Sequence, residues 1–148
     1  MAILKAGVLL LLTAFLAGEG EAPAPDYRLS VSYHAKLVRN LEWRISVIRI
    51  GNRIVLDVDR YQGGTGIIPL PRDEYMKLVD FMNRKGIWRL KGNYPEGSPN
   101  AFHVIEVMSG RHTHSFKVEA GPLLSGDGSR YREIIRRMEN LARIKLGG

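Results

Sequence analysis

Three histidines fall within AFHVIEVMSGRHTHSFKVE: His103, His112 and His114. A two-residue turn at Ser109-Gly110 would fold this stretch into a hairpin with Val107 facing His112, Ile105 facing His114 and His103 facing Phe116. His-X-His on a strand sends both rings to one face, and this pairing sets His103 diagonally across from His114, within reach of a third metal ligand. No acidic residue shares that face to orient ligands. The preferred reading is therefore of structural histidines bonded to main chain or loops, with a metal at His103, His112 and His114 as the alternative.

Other chemical patterns fail their own context tests. Asp57 and Asp59 are two residues apart on one strand face, and without a third carboxylate nearby they read as a solvated edge. YQGGTG, residues 61–66, has the glycines of an anion-binding loop but is followed by Ile67-Ile68-Pro69 instead of the Lys-Ser/Thr that opens a helix in phosphate loops, so it reads as a flexible turn. Ser98, Ser109, Ser125 and Ser129 lie in loops with no nucleophile elbow, and there is no cysteine nucleophile. An enzyme is not expected, and no cofactor is implied.

Composition narrows the class further. The chain has 148 residues and a formal net charge of +7, with no cysteine. Residues 1–20 have Lys5 followed by AGVLLLLTAFLAG and then small residues, the layout of a secretory signal peptide. The apolar run is about 13 residues, short of the roughly 20 that span a bilayer. A protein that is not integral to the membrane after cleavage, secreted or periplasmic, is expected. Without cysteine there is neither a lipoprotein anchor nor a disulfide, so an exported domain must rest on its core alone. An exported basic domain meets anionic envelope surfaces or acidic proteins and no nucleic acid.

The elements follow from periodicity. Residues 21–26, EAPAPD, form a spacer, and one domain is expected over 27–148. Tyr27, Leu29, Val31 and Tyr33 alternate with polar residues as a half-buried strand, and residues 35–41 connect it onward. Trp43, Ile45 and Val47 pair across a Gly51-Asn52 turn with a return strand carrying Ile54, Leu56 and Val58. Pro71 to Trp88 is the clearest helix, with Tyr75, Leu78, Val79 and Met82 on one face, acids at its start and Gly86 as a left-handed stop on which Ile87 folds back. A loop over 88–100 and the histidine hairpin come next. The last helix, capped by Ser129 or Asp127, buries Tyr131, Ile134, Ile135 and Met138, with Glu133–Arg137 and Glu139–Arg143 as i, i+4 pairs and residues 144–148 frayed. These elements predict an α+β fold, an antiparallel sheet of about five strands with two helices packed on one face.

The order of strand, hairpin, helix, Trp-containing loop, hairpin and helix, carried by LPRDEYMKLVDFM, GIWRL, AFHVIEVMSGRHTHSFKV and YREIIRRMENLA, resembles the emfourin type, small α+β inhibitors of thermolysin-like metallopeptidases. The resemblance spans roughly Tyr27 to Ala142 and departs at Tyr33-His34-Ala35-Lys36, where that type has a glycine-rich connection. It implies an exported binding domain that is not an enzyme and presents residues 35–40 or 91–100 to a peptidase. Tyr33, His34, Lys36 and Tyr94 are then the candidate contacts. An anionic envelope surface docked by Arg132, Arg136 and Arg143 on the last helix is the alternative.

Overall fold

The computed structural model describes residues 25–38, 41–121 and 127–147; the expected leader and most of the spacer lie outside them. Six strands form one antiparallel sheet: β1 (Tyr27–His34), β2 (Trp43–Ile50), β3 (Arg53–Tyr61), β4 (Gly64–Pro69), β5 (Phe102–Ser109) and β6 (His112–Glu119). Their spatial order is β4-β3-β2-β1-β5-β6, so the first strand sits inside the sheet between β2 and β5. Two helices accompany it, α1 (Arg72–Arg84) and α2 (Gly128–Lys145). No helix among the described residues is long and apolar enough to cross a membrane.

The period-2 pattern sorts the strands as the sequence predicts. Leu29 pairs with Val47 and Val107, and Val31 with Ile45 and Ile105, so three strands place their apolar residues on one face. Leu56 and Val58 extend that face through β3, and Phe116 and Val118 through β6. Tyr75, Leu78 and Met82 of α1 and Tyr131, Ile134, Ile135, Met138 and Ala142 of α2 complete one core against it. On the other face the paired Ser30 and Ser46 are buried and share a hydroxyl hydrogen bond of 2.7 Å, which satisfies two polar groups at the centre of the sheet.

Helix α1 ends as its sequence predicts. Gly86 takes a φ of +70°, its amide bonds the Asn83 carbonyl, and the Ile87 amide reaches back to the Met82 carbonyl at 3.2 Å. Ile87 is fully buried by this return. At the start, Pro71 flanks the helix as the cap residue instead of forming its first turn.

Four expectations are corrected. The sheet has six strands because Gln62 and Gly63, both with positive φ, make a tight hairpin turn after Tyr61, and residues 64–69 return as β4 on the edge. Pro69 is tolerated there because an edge strand leaves one row of amides unpaired. The β5–β6 turn is Gly110-Arg111, with Gly110 at a φ of +60°, so the pairing slips by two residues from the expected one. An even slip keeps every side chain on its face but moves its partner. The third correction concerns the ion pairs: Glu133 binds Lys85 of the turn after α1, and Arg143 donates to Asn140 Oδ1 at 3.0 Å. Finally, α2 stays helical to Lys145, which pairs with Glu74 at 2.8 Å, and Leu146 packs over Gly64 and Gly66 of β4.

Candidate binding site

Tyr33 and His34 are consecutive at the end of β1, so their rings leave the sheet on opposite faces. On the helix side Tyr33 stacks on Trp43 with centroids 6.1 Å apart and planes 18° from parallel. His103 fits against both, 5.3 Å from Tyr33 and 5.7 Å from Trp43, and Tyr61 meets Trp43 edge-on at 5.2 Å. Four rings from β1, β2, β3 and β5 thus form one cluster beneath the β1–β2 connection. On the other side His34 stacks on Phe102 at 5.1 Å, and Tyr94 lies 4.6 Å from the same ring. Lys36 stands over Tyr94 and Lys117 over Phe102 at cation–π distance.

The connection between these clusters is braced along its first half. Ala35 is buried, and Lys36 donates its ammonium to the carbonyl of Ser98. Tyr94 donates its hydroxyl to the carbonyls of Ser98 and Asn100, and the Asn100 amide bonds Ser98 Oγ at 3.2 Å. The loop over 91–100 is itself fixed to β6: the amides of Asn93 and Tyr94 both donate to the Lys117 carbonyl. Between the braces Leu37 is 91% exposed, with Val38 at 42% and Leu41 at 57%. Among the described residues, little covers the Leu37 side chain.

Burial dominates the electrostatics of the helix-side cluster. Among the described residues the buried Nδ1 of His103 has no hydrogen-bond partner, and burial, aided by the charge of His34, lowers its pKa from 6.5 to about 4. The imidazole is therefore neutral at pH 7. It lines a small cleft of about 140 Å³ with Arg132, Arg136 and Glu139. Burial raises the Glu139 carboxyl, against the opposing pull of Arg136, and raises Tyr61, to which the Glu139 charge also contributes.

The structure unites part of the expected site and disperses the rest. His34, Lys36 and Tyr94 come together on one side, and Tyr33 lies directly behind them. Arg132 and Arg136 line the cleft with His103, whereas Arg143 lies further along α2, near Tyr61 and beside the groove to α1. The three histidines do not converge. His103 pairs with Val118, His114 with Val107 and His112 with Ser109, so the expected diagonal is not made. His114 Nε2 instead lies 2.7 Å from the Leu90 carbonyl. No group of three or more His, Cys, Asp or Glu side chains arranged for a metal occurs among the described residues. Phe102, Trp43, Tyr61, Lys117 and Leu37 are site residues that sequence reasoning missed. Trp43 and Leu37 carried a signal, as large apolar residues at and within a strand connection. Compared with protein-family models and with curated proteins, the chain matches neither a family nor a curated protein.

Proposed function

We propose that this protein is an exported, non-enzymatic binding domain that inserts Leu37 into an apolar pocket of a protein partner, a thermolysin-like metallopeptidase being the specific form of that partner. The observation that carries the reading is the pairing of a 91% exposed Leu37 with a connection whose ends are stacked and whose flank is tied to a second loop. With Ala35 buried and Lys36 tied to Ser98, the backbone beside Leu37 has less entropy to lose on binding than a free segment, and a single apolar anchor seated in a pocket can supply much of an interface's affinity. A peptidase cleft is a concave site of that kind. The test is titration of several thermolysin-like peptidases with the exported form of the chain: saturable loss of activity at nanomolar to micromolar concentration supports the peptidase reading, and undiminished activity in all of them removes it.

A second reading rests on a different surface. Lys77, Arg84, Arg137 and Arg143 flank the groove between α1 and α2, and Ile144, 66% exposed, stands at its end. Basic residues beside exposed apolar ones suit an anionic envelope surface. Retention on vesicles containing phosphatidylglycerol that vanishes in 0.5 M salt supports this, and indifference to lipid charge removes it.

A further inference from the structure

The β6 edge is half closed and half open. In an antiparallel ladder alternate residues turn their amide and carbonyl away from the neighbouring strand, and the contacts of Lys117 and Glu119 show which residues of β6 do so. The Lys117 carbonyl accepts from the amides of Asn93 and Tyr94 at 3.0 and 3.3 Å, and the Glu119 amide donates to Asn93 Oδ1 at 2.9 Å. Thr113 and Ser115 point the same way, and among the described residues no partner meets their outward main-chain groups. Beside them, on the sheet face away from the helices, lies a depression of about 180 Å³ bordered by Arg28, Glu106, Met108, Thr113 and Ser115.

We infer that this open stretch of β6 accepts an extended, acidic peptide segment of a partner protein as a seventh strand. Main-chain bonds to Thr113 and Ser115 would hold the segment, and one of its alternating side chains would enter the depression. Charge selects the occupant. Arg111, in the β5–β6 turn, and Lys117, on the face of Thr113 and Ser115, are exposed at the two ends of the open stretch, and the depression between them is bordered by the opposite charges of Arg28 and Glu106. In the register that pairs Ser115 of a second copy with Thr113, Arg111 would approach Lys117, like charges that disfavour that pairing. Carboxylates on an incoming strand meet the same groups favourably. This surface is distinct from the Leu37 loop and does not depend on it.

The experiment uses 15N-labelled protein and three synthetic seven-residue peptides that alternate Val and Thr: one with Glu at both ends, one with Lys at both ends, and the Glu-ended form N-methylated at alternate residues. The inference predicts that the Glu-ended peptide shifts the Thr113 and Ser115 amide signals saturably and slows their hydrogen exchange at least tenfold, and that the other two do not. A Ser115→Pro variant, which removes an amide outside the β5 ladder, should fold and fail to respond. No shift with the Glu-ended peptide at millimolar concentration overturns the inference, as does an equal response to the Lys-ended or N-methylated form. Concentration-dependent self-association of the protein alone, with the same two amides protected, would give the edge to a second copy and overturn it too.

Discussion

Tyr33 and Trp43 face each other as the last ladder pair of β1 and β2, and their rings stack where the connection between those strands leaves the sheet. The pair acts as a clasp at the base of the loop that carries Leu37. His103 and Tyr61 wedge beneath it, while His34, Phe102 and Tyr94 support the opposite side. Aromatic contacts of this geometry contribute roughly 0.5–1.5 kcal/mol each beyond simple burial. The sheet end thus carries two such ring clusters, one per face, beneath the start of the loop.

The Lys36 contact with Ser98 fixes the flank of that loop, so its loss should be felt locally. Lys36→Met keeps the apolar stem and removes the donor. Hydrogen exchange at the amides of residues 36–38 should quicken roughly tenfold while the melting temperature falls by less than about 2 °C, since local opening needs no global unfolding. Unchanged local exchange would show that the tie does not constrain the loop.

His103 makes stability depend on pH in a known direction. Its pKa is about 4 in the folded protein against 6.5 ordinarily, so between these values the unfolded chain binds a proton that the native state excludes. Stability is therefore intact above pH 6.5 and declines as pH falls toward 4, by about 3 kcal/mol from this group. His103→Phe removes the buried Nδ1, which has no partner among the described residues, and keeps a ring in place. Denaturant midpoints across pH 4–7 should flatten in the variant relative to the wild type; parallel curves would mean that His103 is not excluded from protonation.

Gly92 approaches β6 so closely that a Cβ built on it would lie 2.3 Å from the Lys117 carbonyl oxygen. That atom is main chain in a strand and cannot swing aside. Gly92→Ala should lower stability by about 2–4 kcal/mol or lift residues 91–94 off the edge, which urea unfolding and the exchange rates of the Asn93 and Tyr94 amides would register. A stability loss below about 0.5 kcal/mol with unchanged exchange would contradict the close approach.

Much of this architecture was readable from side-chain period and turn chemistry. The cap at Gly86 and Ile87, the Gly51-Asn52 hairpin and the inward faces of β1, β2 and β3 follow from local sequence. The Gly110-Arg111 turn did not, because Ser109-Gly110 and Gly110-Arg111 both place glycine at a turn and preserve the same faces; only the ladder partners tell them apart. Strand β4 was hidden by its glycines, which β3 and Leu146 accommodate through tertiary contact. The site was least legible because β1 pairs with β5 across about 70 residues of chain, which brings His103 to Tyr33 and Phe102 to His34. The corrected register also bears on metals: with His103, His112 and His114 opposite Val118, Ser109 and Val107, zinc should leave the melting temperature unchanged. A zinc-dependent rise abolished by His114→Ala would contradict that register.

Leu37 is the proposed anchor of the β1–β2 connection. Its most direct test compares inhibition of a thermolysin-like peptidase by the wild-type domain and by Leu37→Asp, with melting temperatures measured alongside. A charge forced into an apolar pocket costs several kcal/mol, so the account predicts inhibition by the wild type and inhibition weakened by about 100-fold or more in the variant, at equal melting temperature. Equal inhibition by both proteins, or none by the wild type across a panel of such peptidases, would contradict it.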